Sequence, residues 1–291
     1  MAYESLGIVG QALHRLFSNA GLTIADGSDL HLTIESASQL SLWWSNGRQG
    51  SLGTDVLPKS LCCLRLASGA LFLDPHNHRR VLRDLAQGPM MYWNNVQSKA
   101  KDTEWEVNSW AHFRQAGFEP FFSEPDLRMH IDGEQFGIAC KKLYSLENTD
   151  KQISRGVEQI QESRCSGLLS LSLDCLVQPD VNVAMLKVRT EAEAREVLQE
   201  KLRIFTELKR ERIQKRYFSS GRLSGIVLSV QAFADIEETK ERAIHCQETL
   251  VWTDGIVAQP KKDKMHFLHE KLKGAMISFE QVLSRAQALL A

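Results

Sequence analysis

Glu106, Asp126, Lys141 and Gln159 are the residues of this chain whose types and spacing suit chemistry. Asp126 lies in SEPDLRMHIDG, where a strand is expected to begin, and Lys141 lies at the centre of the next expected strand, FGIACKK. Side chains alternate across a strand, so Phe136, Ile138 and Cys140 share one face while Gly137, Ala139 and Lys141 share the other. Asp132-Gly133 between the two segments is a hairpin signal, and a hairpin there returns Lys141 to the side of Asp126. A carboxylate and an ammonium on one sheet edge suit metal-assisted phosphodiester hydrolysis. The carboxylate holds a divalent cation against a phosphate oxygen, and the lysine orients or deprotonates the attacking water. Each residue taken singly also has a plainer role. Asp126 after a proline suits a turn, Glu106 a solvated acid in a first helical turn, and Gln159 an exposed polar position. Lys141 is harder to dismiss, because lysine is rarely buried in an apolar strand without a partner.

The elements that must position these residues follow from periodicity. DTEWEVNSWAHFRQAG predicts a helix, with acids in its first turn, Trp105, Trp110 and Phe113 favouring one face, and a stop at Gly117. FEPFFS, LRMHI and QFGIACKKL predict consecutive extended segments, ISRGVEQIQES a helix, and CSGLLSLSLDCLV a buried strand. That alternation implies an α/β fold with a mixed central sheet flanked by helices. A long charged helix, TEAEAREVLQEKLRIFTELKRERIQKRYF, is expected next, followed by strands in SGIVLSVQAFA and ETLVWT. The segment from Met265 to Leu290 is amphipathic and interrupted only by Gly274; its stripe either closes the core or forms the seam of a homodimer.

Residues 1–98 have a different texture. A helix is expected in GIVGQALHRLF, then strands in LHLTI (30–34), LSLWW (40–44), SLCCLRL (60–66) and ALFL (70–73), with turns at Asn46-Gly47 and Gly69. HRRVLRDLAQ reads as a helix stopped by Gly88-Pro89. The resulting division is a separate N-terminal α+β region (1–98), a core domain (99–260) and a C-terminal helix (261–291).

Composition narrows the partners. With 35 Lys and Arg against 36 Asp and Glu, any nucleic-acid contact must come from a local patch. Lys142 and Arg155 are the nearest candidates for phosphate contacts, and KRERIQKR (209–216) is either a nucleic-acid grip or a face balanced by Glu207 and Glu211. No apolar run approaches the roughly 18 residues of a membrane span, and the first residues lack the basic start of a signal peptide. The six cysteines form no CxxC pair and read as buried thiols of a cytoplasmic protein. Asp74, His76 and His78 suit a turn better than a metal cluster, and His266 with His269 lacks a third ligand.

EPDLRMHIDGEQFGIACKK resembles the core of the PD-(D/E)xK, restriction-endonuclease-like nuclease superfamily. In that family the two motifs lie on neighbouring strands; Pro125-Asp126 matches the first, and Ala139-Cys140-Lys141 occupies the second. The resemblance implies a Mg²⁺- or Mn²⁺-dependent DNA endonuclease, plausible in bacterial defence against foreign DNA and commonly dimeric. Asp126, Glu106 and Cys140 would be metal contacts, Lys141 would position the water, and Gln159 would orient the centre. The departure is Ala139, where the family has an acid. It removes a principal metal ligand while its neighbours remain, as in a disarmed nuclease. The alternative is a nuclease-like fold that serves as a nucleic-acid- or protein-binding subunit.

Overall fold

The computed structural model describes residues 3–91, 93–94, 96–177, 185–218, 223–238, 244–256 and 258–291. Its centre is a seven-stranded mixed sheet. Strands β1 (Phe121–Ser123), β2 (Asp126–Ile131) and β3 (Glu134–Lys142) form an antiparallel meander. The turn between β2 and β3 is Asp132-Gly133, with φ values of 51° and 78°. Two consecutive left-handed residues match the twist of a tight hairpin, which is why Asp-Gly stands there. Strand β3 then runs parallel to β4 (Ser166–Ser172), and β4 runs parallel to β6 (Gly225–Ile236). The chain leaves β4 through a short helix, α7 (Asp174–Val177), and β5 (Met185–Val188) takes up the same edge of β6 further along. Antiparallel β7 (Ile244–Trp252) covers the other edge of β6.

Helices sandwich this sheet. Helix α6 (Thr149–Glu162) packs on β3 and β4, and α8 (Glu191–Ile213) packs on β6 and β7. The two helices are joined by Lys209 and Arg212 on Asp150, and Ser154 of α6 pairs with the hydroxyl of Tyr217, just beyond the end of α8, at 2.8 Å. On the opposite face lies α5 (Lys99–Gln115), started by the Ser98 hydroxyl accepting from the Lys101 amide. Trp105 bonds from α5 to the Ser170 carbonyl of β4 at 3.1 Å. Helix α5 is buried on nearly all sides, because a further layer of helices lies behind it.

That further layer corrects the expectation for residues 1–98. The described part holds α1 (Leu6–Asn19), α2 (Asp29–Ser45), α3 (Val56–Ala70) and α4 (Arg79–Leu85), and no strand. The runs LHLTI and LSLWW lie in α2, and SLCCLRL lies in α3. Gly69 is no turn: it sits within α3 where α5 crosses, and a Cβ there would stand 2.6 Å from Asn108 Oδ1 and 2.8 Å from Val107 Cγ1. The C-terminal segment is likewise two helices, α9 (Gln259–Leu272) and α10 (Phe279–Leu290), rather than one. Helix α10 returns to α1 and α3, burying Val282 and Ala286, so its stripe is used within its own chain. Among the described residues no helix is long and apolar enough to cross a membrane. Of the cysteines, Cys62, Cys63, Cys140, Cys175 and Cys246 are buried, and Cys165 is half-buried.

The layers are tied by charge. Arg65 of α3 grips Glu104 of α5 with two bonds of 2.6 and 2.8 Å, while Lys142 of β3 adds a third at 2.9 Å. Arg65 also reaches Asp174 at 3.4 Å, and Asp174 accepts the Gln231 amide of β6. All four side chains are buried. Burial alone would raise the Glu104 carboxyl, but Arg65 and Lys142 outweigh it and hold the pKa at about 2. A buried pair stripped of one partner leaves an uncompensated charge, whereas apolar replacement of all partners often costs little. Arg65→Ala should therefore destabilise the chain by about 3–5 kcal/mol in urea unfolding. The combined Arg65→Met, Glu104→Leu, Lys142→Met and Asp174→Asn variant, which leaves no buried charge of the cluster and keeps an acceptor for the Gln231 amide, should be markedly more stable than Arg65→Ala. Equal losses in the two proteins would contradict the electrostatic account.

Candidate active site

Four elements converge at the end of β3 where Lys141 and Lys142 lie. The register Leu127↔Ile138 sets Asp126, one residue earlier, across from Ala139. Asp126 Oδ2 accepts the Cys140 amide at 2.7 Å and the Lys141 ammonium at 3.1 Å. Lys141 also donates to the Cys140 carbonyl at 2.9 Å. The hairpin thus returns Lys141 to Asp126. The pair is largely enclosed, with side chains 15% and 14% exposed, so neither is a freely solvated surface charge.

A cleft of ≈ 360 Å³ opens over this pair between α5 and α6. Helix spacing explains its walls. Lys99, Asp102 and Glu106 share one flank of α5, and Gln152, Arg155, Gln159 and Glu162 share one flank of α6, at steps of three and four. The opposite flank of α6, with Ile153, Val157 and Ile160, is buried on the sheet. Gly156 makes that approach close. A Cβ there would meet Leu169 Cδ1 at 2.4 Å, and it would lie 3.4 Å from Lys141 Cγ and 3.6 Å from Ala139 Cβ.

The carboxyls are electrostatically strained. Burial and the neighbouring Asp126 charge raise Glu106 to about 7. Burial also raises Asp126, an effect that Lys141 and the Cys140 amide only partly offset. Gln159 Oε1 is buried without a hydrogen-bond partner. The Cys140 thiol is pushed well above its ordinary range, chiefly by burial and further by Asp126 and Glu106.

Among the described residues no group of three or more His, Cys, Asp or Glu side chains is arranged to hold a metal ion. Two carboxyls and an unpartnered amide oxygen do not make a protein cage. They fit a hydrated Mg²⁺ shared with a phosphate, which takes one or two carboxylates and leaves its other positions to water and substrate.

Among the residues proposed from sequence, Glu106, Cys140, Lys141, Lys142, Gln159 and Arg155 line the cleft, and Asp126 is bonded to Lys141 and the Cys140 amide at its floor. Ala139 is fully buried beneath Gly156. Lys142 corrects an expectation. It points to the opposite face from Lys141, is 2% exposed, and neutralises Glu104, so it offers no phosphate contact here. The basic stretch 209–216 is a balanced face: Lys209 and Arg212 pair with Asp150, Arg210 with Asp254, and Lys215 with Glu211. Asp74 accepts the amides of His76 and Asn77, which makes DPHNH a turn.

Six residues that line the cleft were not anticipated: Gln97, Lys99, Asp102, Gln152, Glu158 and Glu162. Asp102 accepts from the Tyr144 hydroxyl at 2.8 Å and from Gln97. The signal for Asp102 and Lys99 was their spacing of four and seven residues before Glu106. Comparison of the chain with models of protein families, with curated proteins and with solved structures gives no match.

Glu106 provides a test. A carboxyl whose folded pKa of about 7 lies above its ordinary 4.5 loses stability as pH rises through that window. Glu106→Gln removes the loss. Between about pH 5 and about pH 8 the parent chain should fall relative to the variant by on the order of 2 kcal/mol in urea unfolding. Parallel stability curves for the two proteins would show that Glu106 is not strained.

Proposed function

We propose that the cleft binds a phosphodiester of DNA at a divalent-metal nuclease centre that Ala139 leaves without its full complement of carboxylates. The observation that carries this is the convergence of Glu106, Asp126, Lys141 and Gln159 from four separate elements on one cleft. The match of Pro125-Asp126 and Lys141 to the PD-(D/E)xK pattern supports the same reading. Asp126 and Glu106 would hold Mg²⁺ or Mn²⁺, which when bound polarises a phosphate oxygen and acidifies water. Lys141, already bonded to Asp126 and the Cys140 carbonyl, is positioned to orient a water and to offset charge on the phosphate. Gln159 offers a neutral acceptor to that water, and Arg155 is exposed at the rim for a neighbouring phosphate.

A second reading, a nuclease-like fold that binds without cutting, is favoured by the state of Asp126. Its Oδ2 is taken by the chain's own amide and ammonium, and among the described residues no three His, Cys, Asp or Glu side chains are grouped to hold a metal ion. Both readings give a present chain that binds DNA. They part at position 139.

Ala139→Glu tests them. The added carboxylate would stand across from Asp126 and on the face of Lys141. Mn²⁺- or Mg²⁺-dependent cleavage of plasmid DNA should appear in this variant and vanish when Lys141→Ala is added. A folded Ala139→Glu protein that binds neither metal nor cuts any DNA or RNA offered would defeat the nuclease reading.

Binding is tested in the unaltered chain. DNA affinity by fluorescence anisotropy, measured at fixed Mg²⁺, should fall steeply with added monovalent salt, as phosphate contacts release counterions. Arg155→Ala should weaken binding on every sequence and reduce the salt slope by about one. Salt-independent binding, or none at low salt, argues against a phosphate site.

A further inference from the structure

A second polar interior lies on the α5 side of β6 and β7, away from the cleft. Asn108 and His112 of α5, Gln231 of β6, and His245 and Gln247 of β7 surround a small cavity there, closed by residues 275–277 between α9 and α10. Burial holds both histidines neutral, with pKa values of about 4, and the Arg65 charge also lowers His245.

The hydrogen bonds of this interior run in one direction. Gln247 Nε2 donates to His112 Nδ1 at 3.1 Å, and it also faces the hydroxyls of Ser229 and Thr249 at 3.3 and 3.4 Å. His112 Nδ1 is then an acceptor, so the ring proton sits on Nε2, which faces the Leu272 carbonyl at 3.4 Å. With its nitrogen engaged, Gln247 presents Oε1, which accepts from Gln231 Nε2 at 3.3 Å. That fixes the Gln231 amide as well, and flipping it would break the chain of bonds. What remains is Gln231 Oε1, buried without a partner, as are Asn108 Oδ1 and His245 Nε2. Gln231 and Asn108 are 4% and 8% exposed, so bulk water does not satisfy them.

The missing partner is defined by these three atoms. Two amide oxygens call for two donated hydrogens, and His245 Nε2, in the tautomer that protonates it, calls for one acceptor. The cavity of ≈ 10 Å³ holds one water-sized molecule and nothing larger. A small cation would find no anionic ligand among the lining residues and would be repelled by Arg65. We propose that Asn108, Gln231 and His245 form a binding site for one internal water, which donates to Asn108 Oδ1 and Gln231 Oε1 and accepts from His245 Nε2–H. The water completes a relay from α5 and β6 through Gln247 and His112 to the carbonyl that ends α9.

Nuclear magnetic resonance of the full chain tests this directly. The ¹⁵N shifts of His245 should show the proton on Nε2, and cross-peaks at the water frequency should reach its Hε2 and the Asn108 side-chain amide. Gln231→Met removes one acceptor and fills the cavity, so those cross-peaks should disappear; Lys141→Ala, in the other cleft, should leave them. A crystal structure should place one solvent peak within hydrogen-bond distance of all three atoms. The proposal is overturned if that density shows the three atoms bonded to protein partners and no solvent between them. It is also overturned if the unaltered chain has its His245 proton on Nδ1 and no water cross-peak. Both measurements use the unaltered protein, so they decide even where Gln231→Met does not fold.

Discussion

Glu104 is fixed between Arg65 and Lys142 and buried away from solvent, and the rest of the molecule is arranged around that constraint. The carboxylate belongs to α5, the guanidinium to α3 and the ammonium to β3, so one ion cluster joins the N-terminal helices, the central helix and the sheet. Asp174 extends it to β6 through the Gln231 amide. Such a cluster is weak evidence for high stability, since desolvation offsets much of the attraction. Its effect is on geometry. Each charge tolerates only the position in which the others meet it, and this sets the register of α5 against β3. The first 98 residues are accordingly part of the same packed body as the sheet, with α10 returning across them.

The same register creates the cleft. Glu104 and Glu106 are two residues apart, so they leave α5 about 200° around the helix from one another. One meets two cations and is held at about 2 despite its burial; the other is raised to about 7 by burial and then by Asp126. On β3 the adjacent lysines divide in the same way, Lys142 toward Glu104 and Lys141 toward Asp126. Alternation along the strand therefore sends one lysine to structure and the other to the site. The inward lysine pins the strand end from which the outward one projects.

This division shows what the sequence made legible. The hairpin was local: alternating apolar residues around Asp132-Gly133 specify strands, turn and face together, and so placed Lys141 beside Asp126. Helix α6 was equally clear, because one flank is apolar and the other polar. The N-terminal helices were not, and α3 shows why. Thirteen of its fifteen residues are buried, so SLCCLRL has no polar face to mark a period of 3.6. Short apolar runs of that kind read equally well as strands. Lys142 was misjudged for a related reason: the alternation that turned Lys141 toward the site necessarily turned its neighbour inward. The partner that makes such burial tolerable stands 38 positions earlier in the chain. Long-range charge pairing leaves no local pattern to find.

The cleft's own charges bear on what it can admit. Asp102, Glu106, Glu158 and Glu162 line it against Lys99, Lys141 and Arg155, Lys142 being neutralised from below. A phosphate entering here meets no net positive field, and Lys141 is already shared with Asp126. Polyanion binding through lysine and arginine alone would favour a different wall. A wall of this composition suits a phosphate that arrives with a divalent cation, whose charge would relieve the repulsion between Glu106 and Asp126 and release part of Lys141's hold on Asp126. On the function proposed above, the acidic bias of the walls is what such a cation would offset, and Ala139 is the position at which the PD-(D/E)xK pattern would supply one more carboxylate.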